Sequence, residues 1–119
     1  ISVLEKVRQP FNINALVQAG ALAALDDAEH LARTRENNAR GLEFFTQAFR
    51  KMDLQFVPSA ANFILLKVGN GQEISVALQE HGVITRPMVG YGLPEWIRIS
   101  IGTGRENARC LEMLQKLLR

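Results

Sequence analysis

The chain has one cysteine, one tryptophan, one tyrosine and four prolines among 119 residues. With Cys110 alone, no internal disulfide forms; that suits a reducing compartment, and a cytoplasmic protein is expected. His30 and His81 lie far apart, whereas zinc motifs place ligands a few residues from one another, so no metal site is expected. No apolar run approaches the roughly 20 residues that cross a bilayer, so no membrane partner is expected. Charge of one sign is lacking too. The 14 basic and 12 acidic residues are interleaved to a net +2, without the massed basic patch of a nucleic-acid binder. The opening Ile1-Ser-Val-Leu-Glu-Lys6 has neither an initiator methionine nor the features of a signal peptide, which reads as a piece of something longer.

Hydrophobic residues make up 47% of the chain. At this length roughly two-thirds of the unfolded surface is buried on folding, enough for a single domain over residues 1–119. Its first half reads as helical. Asn12 to Asp26 is rich in Ala and Leu, and Asn12 or Asn14 can cap its free N–H groups. Ile13, Leu16, Val17, Ala21 and Leu25 are too many apolar positions for one narrow stripe, so this helix is expected to present apolar surface. A second helix is predicted from Asp27 to Met52, with Leu42, Phe45, Phe49 and Met52 on one face and Arg33, Arg35, Glu36, Arg40 and Lys51 on the other.

The second half changes period. Phe63 to Val68 is a short apolar run between turn signals and is predicted as a buried strand. Glu73 to His81 returns to helix, with Gly82 suited to the left-handed position after it. Val83 to Thr85 is predicted as a second strand halted by Pro87, and Met88 to Pro94 as an irregular loop. In Trp96 to Ile101, Ile97, Ile99 and Ile101 alternate with Arg98, Ser100 and Gly102, the mark of a strand with one branched aliphatic face. Thr103 to Glu106 is a capping box opening a last helix, with Ala108, Leu111, Leu114 and Leu118 as its buried row. The expected fold class is α+β, a small sheet of about three strands covered by helices and preceded by two helices.

Few residues suggest chemistry. Cys110 lies within the last helix and reads as a small buried hydrophobe; His81, at a helix end, reads as a dipole partner. Gly102-Thr-Gly104 falls where a dinucleotide fingerprint would sit, but Asn107 occupies the third glycine position. Arg98 is different, because a charge in the middle of a short strand needs an anionic partner. Either the outer face is wet and Arg98 pairs with a surface carboxylate, or it serves a ligand. Arg86 stands at the neighbouring strand end, and two such arginines suit a substrate bearing carboxylate or phosphate.

Four blocks carry a resemblance: Arg8-Gln-Pro-Phe-Asn-Ile-Asn14, Pro58-Ser-Ala-Ala-Asn-Phe63, Gly82-Val-Ile-Thr-Arg-Pro87, and Tyr91-Gly-Leu-Pro-Glu-Trp-Ile-Arg-Ile-Ser-Ile-Gly102. In order and spacing the chain resembles the C-terminal small domain of the histidinol-phosphate aminotransferases, within the fold-type I aminotransferases that use pyridoxal phosphate. The resemblance implies transfer of an amino group between L-histidinol phosphate and 2-oxoglutarate in histidine biosynthesis. It implies a cofactor held mainly by a large domain outside this chain, together with the Schiff-base lysine. Lys6, Lys51, Lys67 and Lys116 do not stand in that family's serine-lysine segment, so no catalytic residue is expected here. By the same resemblance Arg98 grips the acidic end of the substrate, Arg86 assists, and Asn62 lies near the cleft. Residues 1–26 would meet the missing large domain, and the full-length protein would be a homodimer. The alternatives are the small domain of a related enzyme, an aromatic aminotransferase or a threonine-phosphate decarboxylase, and a non-enzymatic α+β ligand-binding module.

Overall fold

The computed structural model describes residues 3, 6, 11 and 13–118, so Asn12 and most of the Arg8–Asn14 block lie outside the described residues. Two compact units are present, Ile1–Ala32 and Arg33–Arg119.

In the first unit, helix α1 runs over Ala15–Leu25. Asn14 is its N-cap and accepts from the Val17 N–H at 3.0 Å, satisfying one of the free donors of the first turn. The helix buries none of its residues, and Leu16 and Leu25 are 85% and 81% exposed. Its apolar surface is thus open, as its composition predicts. The Asp27 carboxylate accepts from the His30 N–H at 2.8 Å and starts α2, Ala28–Lys51.

In the second unit, α2 supplies Phe45 and Phe49 to the core, both fully buried, with ring centroids 5.4 Å apart. Leu42 and Met52 flank them on the predicted face. The remaining elements are β1 Phe56–Val57, β2 Phe63–Lys67, α3 Gly71–Glu80, β3 Arg86–Pro87, β4 Trp96–Ser100 and α4 Gly104–Leu117. The sheet has four antiparallel strands in the order β1-β2-β4-β3, one more than the sequence suggested. The architecture is α+β, as expected.

Three local expectations are corrected. First, Val83 to Thr85 is not a strand. The Val83 N–H donates to the Leu78 carbonyl at 2.9 Å, and the Thr85 hydroxyl meets that of Ser75 at 3.0 Å, so α3 holds this segment away from β4. The strand is Arg86–Pro87 instead, and Pro87 sits inside it because an edge strand needs no N–H on its outer side. Second, α3 starts at Gly71, capped by Asn70, two residues before the predicted Glu73. A Cβ at Gly71 would run into the Trp96 carbonyl, so only glycine lets this first turn lie against β4. Third, α4 buries Asn107, Cys110, Met113 and Leu114, while Ala108 is exposed and Leu111 and Leu118 are half-buried. Asn107 sets that phase. Its side chain accepts from the Gly102 N–H at 2.9 Å and donates to the Gly102 carbonyl at 3.2 Å, which turns it inward. The capping box is as predicted: the Thr103 N–H donates to Glu106 at 2.7 Å, and the Glu106 N–H donates to the Thr103 hydroxyl at 3.4 Å.

Candidate functional site

Period-two geometry divides the sheet into two faces. Ile64, Leu66, Ile97 and Ile99 are buried in one core cluster with Phe49 of α2, Leu78 of α3 and Met113 of α4. The other face carries Phe63 and Leu65 on β2, Arg98 and Ser100 on β4, and Arg86 on β3. On this side Arg98 is half-buried, and Arg86 and Ser100 are exposed.

The register brings the two arginines together. Arg86 and Arg98 are Cα partners across β3 and β4, so their side chains leave the same face as direct neighbours. Like charges directly opposite one another are destabilising unless something between them is negative. Among the described residues, neither has a carboxylate. Ion pairs instead join Arg40 with Glu36, Lys67 with Glu95, and Glu112 with Arg109 and Lys116. Each arginine instead lies over a ring: the Arg98 guanidinium carbon is 5.2 Å from the Phe63 centroid and that of Arg86 is 5.7 Å from the Tyr91 centroid. The Arg98 Nε is buried without a hydrogen-bond partner. Such an orphan donor costs free energy as long as nothing accepts from it.

Asn62 stands at the entrance to β2. Its carbonyl accepts from the Ile101 N–H at 2.9 Å, and Phe63 next to it is the Cα partner of Ser100. The three residues singled out from the sequence therefore lie at one sheet, Arg86 and Arg98 as a pair across β3 and β4, and Asn62 where β2 meets the end of β4. The Asn62 side chain is exposed.

The sequence reading overlooked the residues that anchor this end of the sheet. Asn37 on α2 donates to the Gly102 carbonyl at 3.0 Å, and Asn38 donates to the Ala61 carbonyl at 3.1 Å. One turn later a Cβ at Gly41 would collide with Ile101 and approach the Asn107 amide nitrogen to 2.9 Å. Two asparagines in a helix interior, where their propensity is poor, followed by a glycine, were the available signal.

A cleft among the described residues lies elsewhere. About 480 Å³ in volume, it runs between Val83–Thr85, Ile99–Gly102 and the side of α4 bearing Arg105 and Cys110, and it includes neither Arg86 nor Arg98. Its polar groups are largely engaged: Asn107 with Gly102, Glu106 with Thr103, and Arg109 with Glu112 and the His81 carbonyl. Burial pushes the Cys110 thiol up to about 11, which leaves it protonated at neutral pH and unreactive. Chemistry is better served by the arginine face.

The lysines give a pyridoxal phosphate cofactor no cradle. Lys67 is paired with Glu95 at 3.3 Å and Lys116 with Glu112 at 2.7 Å, while Lys6 and Lys51 are exposed. None stands in an enclosed, desolvated pocket of the kind that makes a lysine amine nucleophilic.

The family profile "Aminotransferase class I and II" matches residues 1–117. A histidinol-phosphate aminotransferase of Akkermansia muciniphila is 56% identical over 117 residues, which are 98% of this chain and 32% of that protein. The chain therefore spans about a third of the length of such curated relatives. Among solved structures, the histidinol-phosphate aminotransferase of Clostridium acetobutylicum superposes with a TM-score of 0.76 at 21% identity, over 97% of this chain and 36% of that one. That of Sinorhizobium meliloti, in complex with pyridoxal-5'-phosphate, gives 0.73 at 24% identity, over 99% and 34%. At these identities the superpositions speak for the fold.

Proposed function

The chain belongs to the class I and II aminotransferases, and from that membership we propose that it is the C-terminal small domain of an enzyme that moves an amino group between L-histidinol phosphate and 2-oxoglutarate, in histidine biosynthesis. The observation that carries this reading is the pairing of Arg86 with Arg98 across neighbouring strands, two guanidiniums without a carboxylate and with a buried donor unused. A phosphate in one half-reaction, or a carboxylate in the other, supplies the missing charge through bidentate hydrogen bonds. Arg98 is the main grip, Arg86 assists, and Asn62 lies near the cleft, where β2 meets the end of β4.

Pyridoxal phosphate, the family's cofactor, supplies the electron sink when bound. This chain's own contribution is to hold the acidic end of the substrate so that the reacting carbon is presented in one orientation, which removes rotational freedom before reaction. The cofactor lysine and the large domain belong to the remainder of the protein. Residues 1–26 meet that domain, which covers the open apolar surface of α1, and the full-length protein is a cytoplasmic homodimer.

The test is to assay the full-length protein against three substrates. Amino transfer from L-histidinol phosphate should exceed that from phenylalanine and tyrosine by at least tenfold in kcat/KM, with no carbon dioxide released from O-phosphothreonine. A preference for the aromatic amino acids, or decarboxylation, replaces this substrate with that of a relative. This chain alone, titrated with pyridoxal phosphate, should give no saturable absorbance band mapping to one lysine; a stoichiometric band on Lys6, Lys51, Lys67 or Lys116 contradicts the division of labour.

A further inference from the structure

We infer that Phe63 and Tyr91 are positioning residues for the two arginines, and that by holding them through ring faces rather than carboxylates they keep the site doubly positive, so that a phosphate-like dianion is held by both forks and a carboxylate by one. This rests on the reading that Arg86 and Arg98 bind the acidic end of the substrate.

A guanidinium is planar, and all its N–H donors lie in that plane. A carboxylate partner would use those donors and cancel the charge. A ring beneath the plane attracts the cation through its quadrupole and leaves the in-plane donors available. Both arginines have the second kind of partner. The same sheet shows that the first kind was within reach of its sequence, because Lys67 at the other end of β2 is paired with Glu95.

The backbone holds both rings in place. Phe63 belongs to β2, and as Cα partner of Ser100 it lies diagonally across from Arg98 on the same face. Tyr91 closes a short 3-10 helix, Val89–Tyr91, that is tied at several points. The Tyr91 N–H donates to the Met88 carbonyl at 3.0 Å, the Leu93 N–H donates to the same oxygen at 3.2 Å, and the Met88 N–H donates to the Trp96 carbonyl at 3.0 Å. Gly92 follows in the left-handed conformation, φ 74°, where a side chain would be strained. Tyr91 is 63% exposed and its ring contact is with Arg86, so its place in this tied turn is not explained by core packing. A monoanion satisfies one fork; a dianion with three equivalent oxygens satisfies both, so the pair accepts a carboxylate and holds a phosphate more tightly.

The experiment uses the full-length enzyme with inorganic phosphate as a competitive probe. Phe63→Leu and Tyr91→Leu should each raise the Ki of phosphate and the KM of the phosphorylated substrate by about fivefold, the change one cation–π contact supports, with KM rising by more than kcat falls. Phe63→Tyr and Tyr91→Phe, which keep a ring, should return Ki to within twofold of the parent. Arg98→Ala is the control for the site itself and should abolish phosphate competition. If Arg98→Ala does so while both leucine variants leave Ki within twofold, the rings are scaffold and the inference is overturned. If Arg98→Ala leaves phosphate competition intact, Arg98 is not an anion ligand and both assignments fall. Tyr91 is exposed, so its leucine variant reports on the anion even if Phe63→Leu loosens the fold.

Discussion

Neighbouring residues of β4 meet opposite environments. Ile97 and Ile99 are sealed against the helices, while Arg98, between them, stands on the open side beside Phe63 and Arg86. The same contrast runs along β2, where Ile64 and Leu66 are fully buried and Phe63 and Leu65 are not. One backbone period thus separates two tasks: one face contributes burial, about 1.5–3 kcal/mol for each large aliphatic side chain, and the other presents charge that the fold leaves uncompensated. Changes on the covered face should cost stability, and changes on the open face should cost binding.

The largest effect should come from the covered face. Ile97→Ala removes a fully buried side chain and should lower the unfolding free energy by about 2–5 kcal/mol, read as a lower urea midpoint at unchanged slope. Leu65→Ala, the neighbour across the pleat, should cost less than half as much. Equal losses would erase the distinction between the faces.

Cys110 sharpens the comparison through pH. Burial raises its thiol from the ordinary 9.0 to about 11, so the unfolded chain ionises first as pH rises. Stability is therefore unaffected by this group below about pH 9 and falls between about 9 and 11, by roughly 2–3 kcal/mol in all. The signature is the difference from Cys110→Ala, which should show a shallower decline. Parallel curves for the two proteins would mean that the thiol is not held neutral by the fold.

What was legible in the sequence was local. The Thr103–Glu106 capping box, an asparagine cap at Asn12 or Asn14, the alternation through Ile97 and Ile99, and the Phe45–Phe49 face of α2 each follow from residues a few positions apart. What was not legible depends on partners distant in sequence. Val83–Thr85 has strand composition, yet bonds from Leu78 and Ser75 of α3 decide its course. Two-residue β1 is too short for periodicity to register. The buried row of α4 is rotated because Asn107 turns inward to Gly102, an outcome that hydrophobic spacing cannot encode. At the site, the pattern singled out Arg98 but not its surroundings. The rings of Phe63 and Tyr91 come to the arginines only through the strand order β1-β2-β4-β3, and the Asn37 and Asn38 amides come to the Ala61 and Gly102 carbonyls only through the packing of α2.

The most direct test of the open face is the kinetics of Arg98→Lys in the full-length enzyme. Lysine keeps the charge but not the planar fork. The substitution should lower kcat/KM for histidinol phosphate by one to two orders of magnitude, about 1.5–3 kcal/mol for a charge-assisted hydrogen bond, while the thermal midpoint stays nearly unchanged because the group makes no ion pair in the fold. Normal kcat/KM in the lysine variant, or a loss of stability that accounts for the lost activity, would show that Arg98 is scaffold and that the open face does not hold the substrate's acidic end.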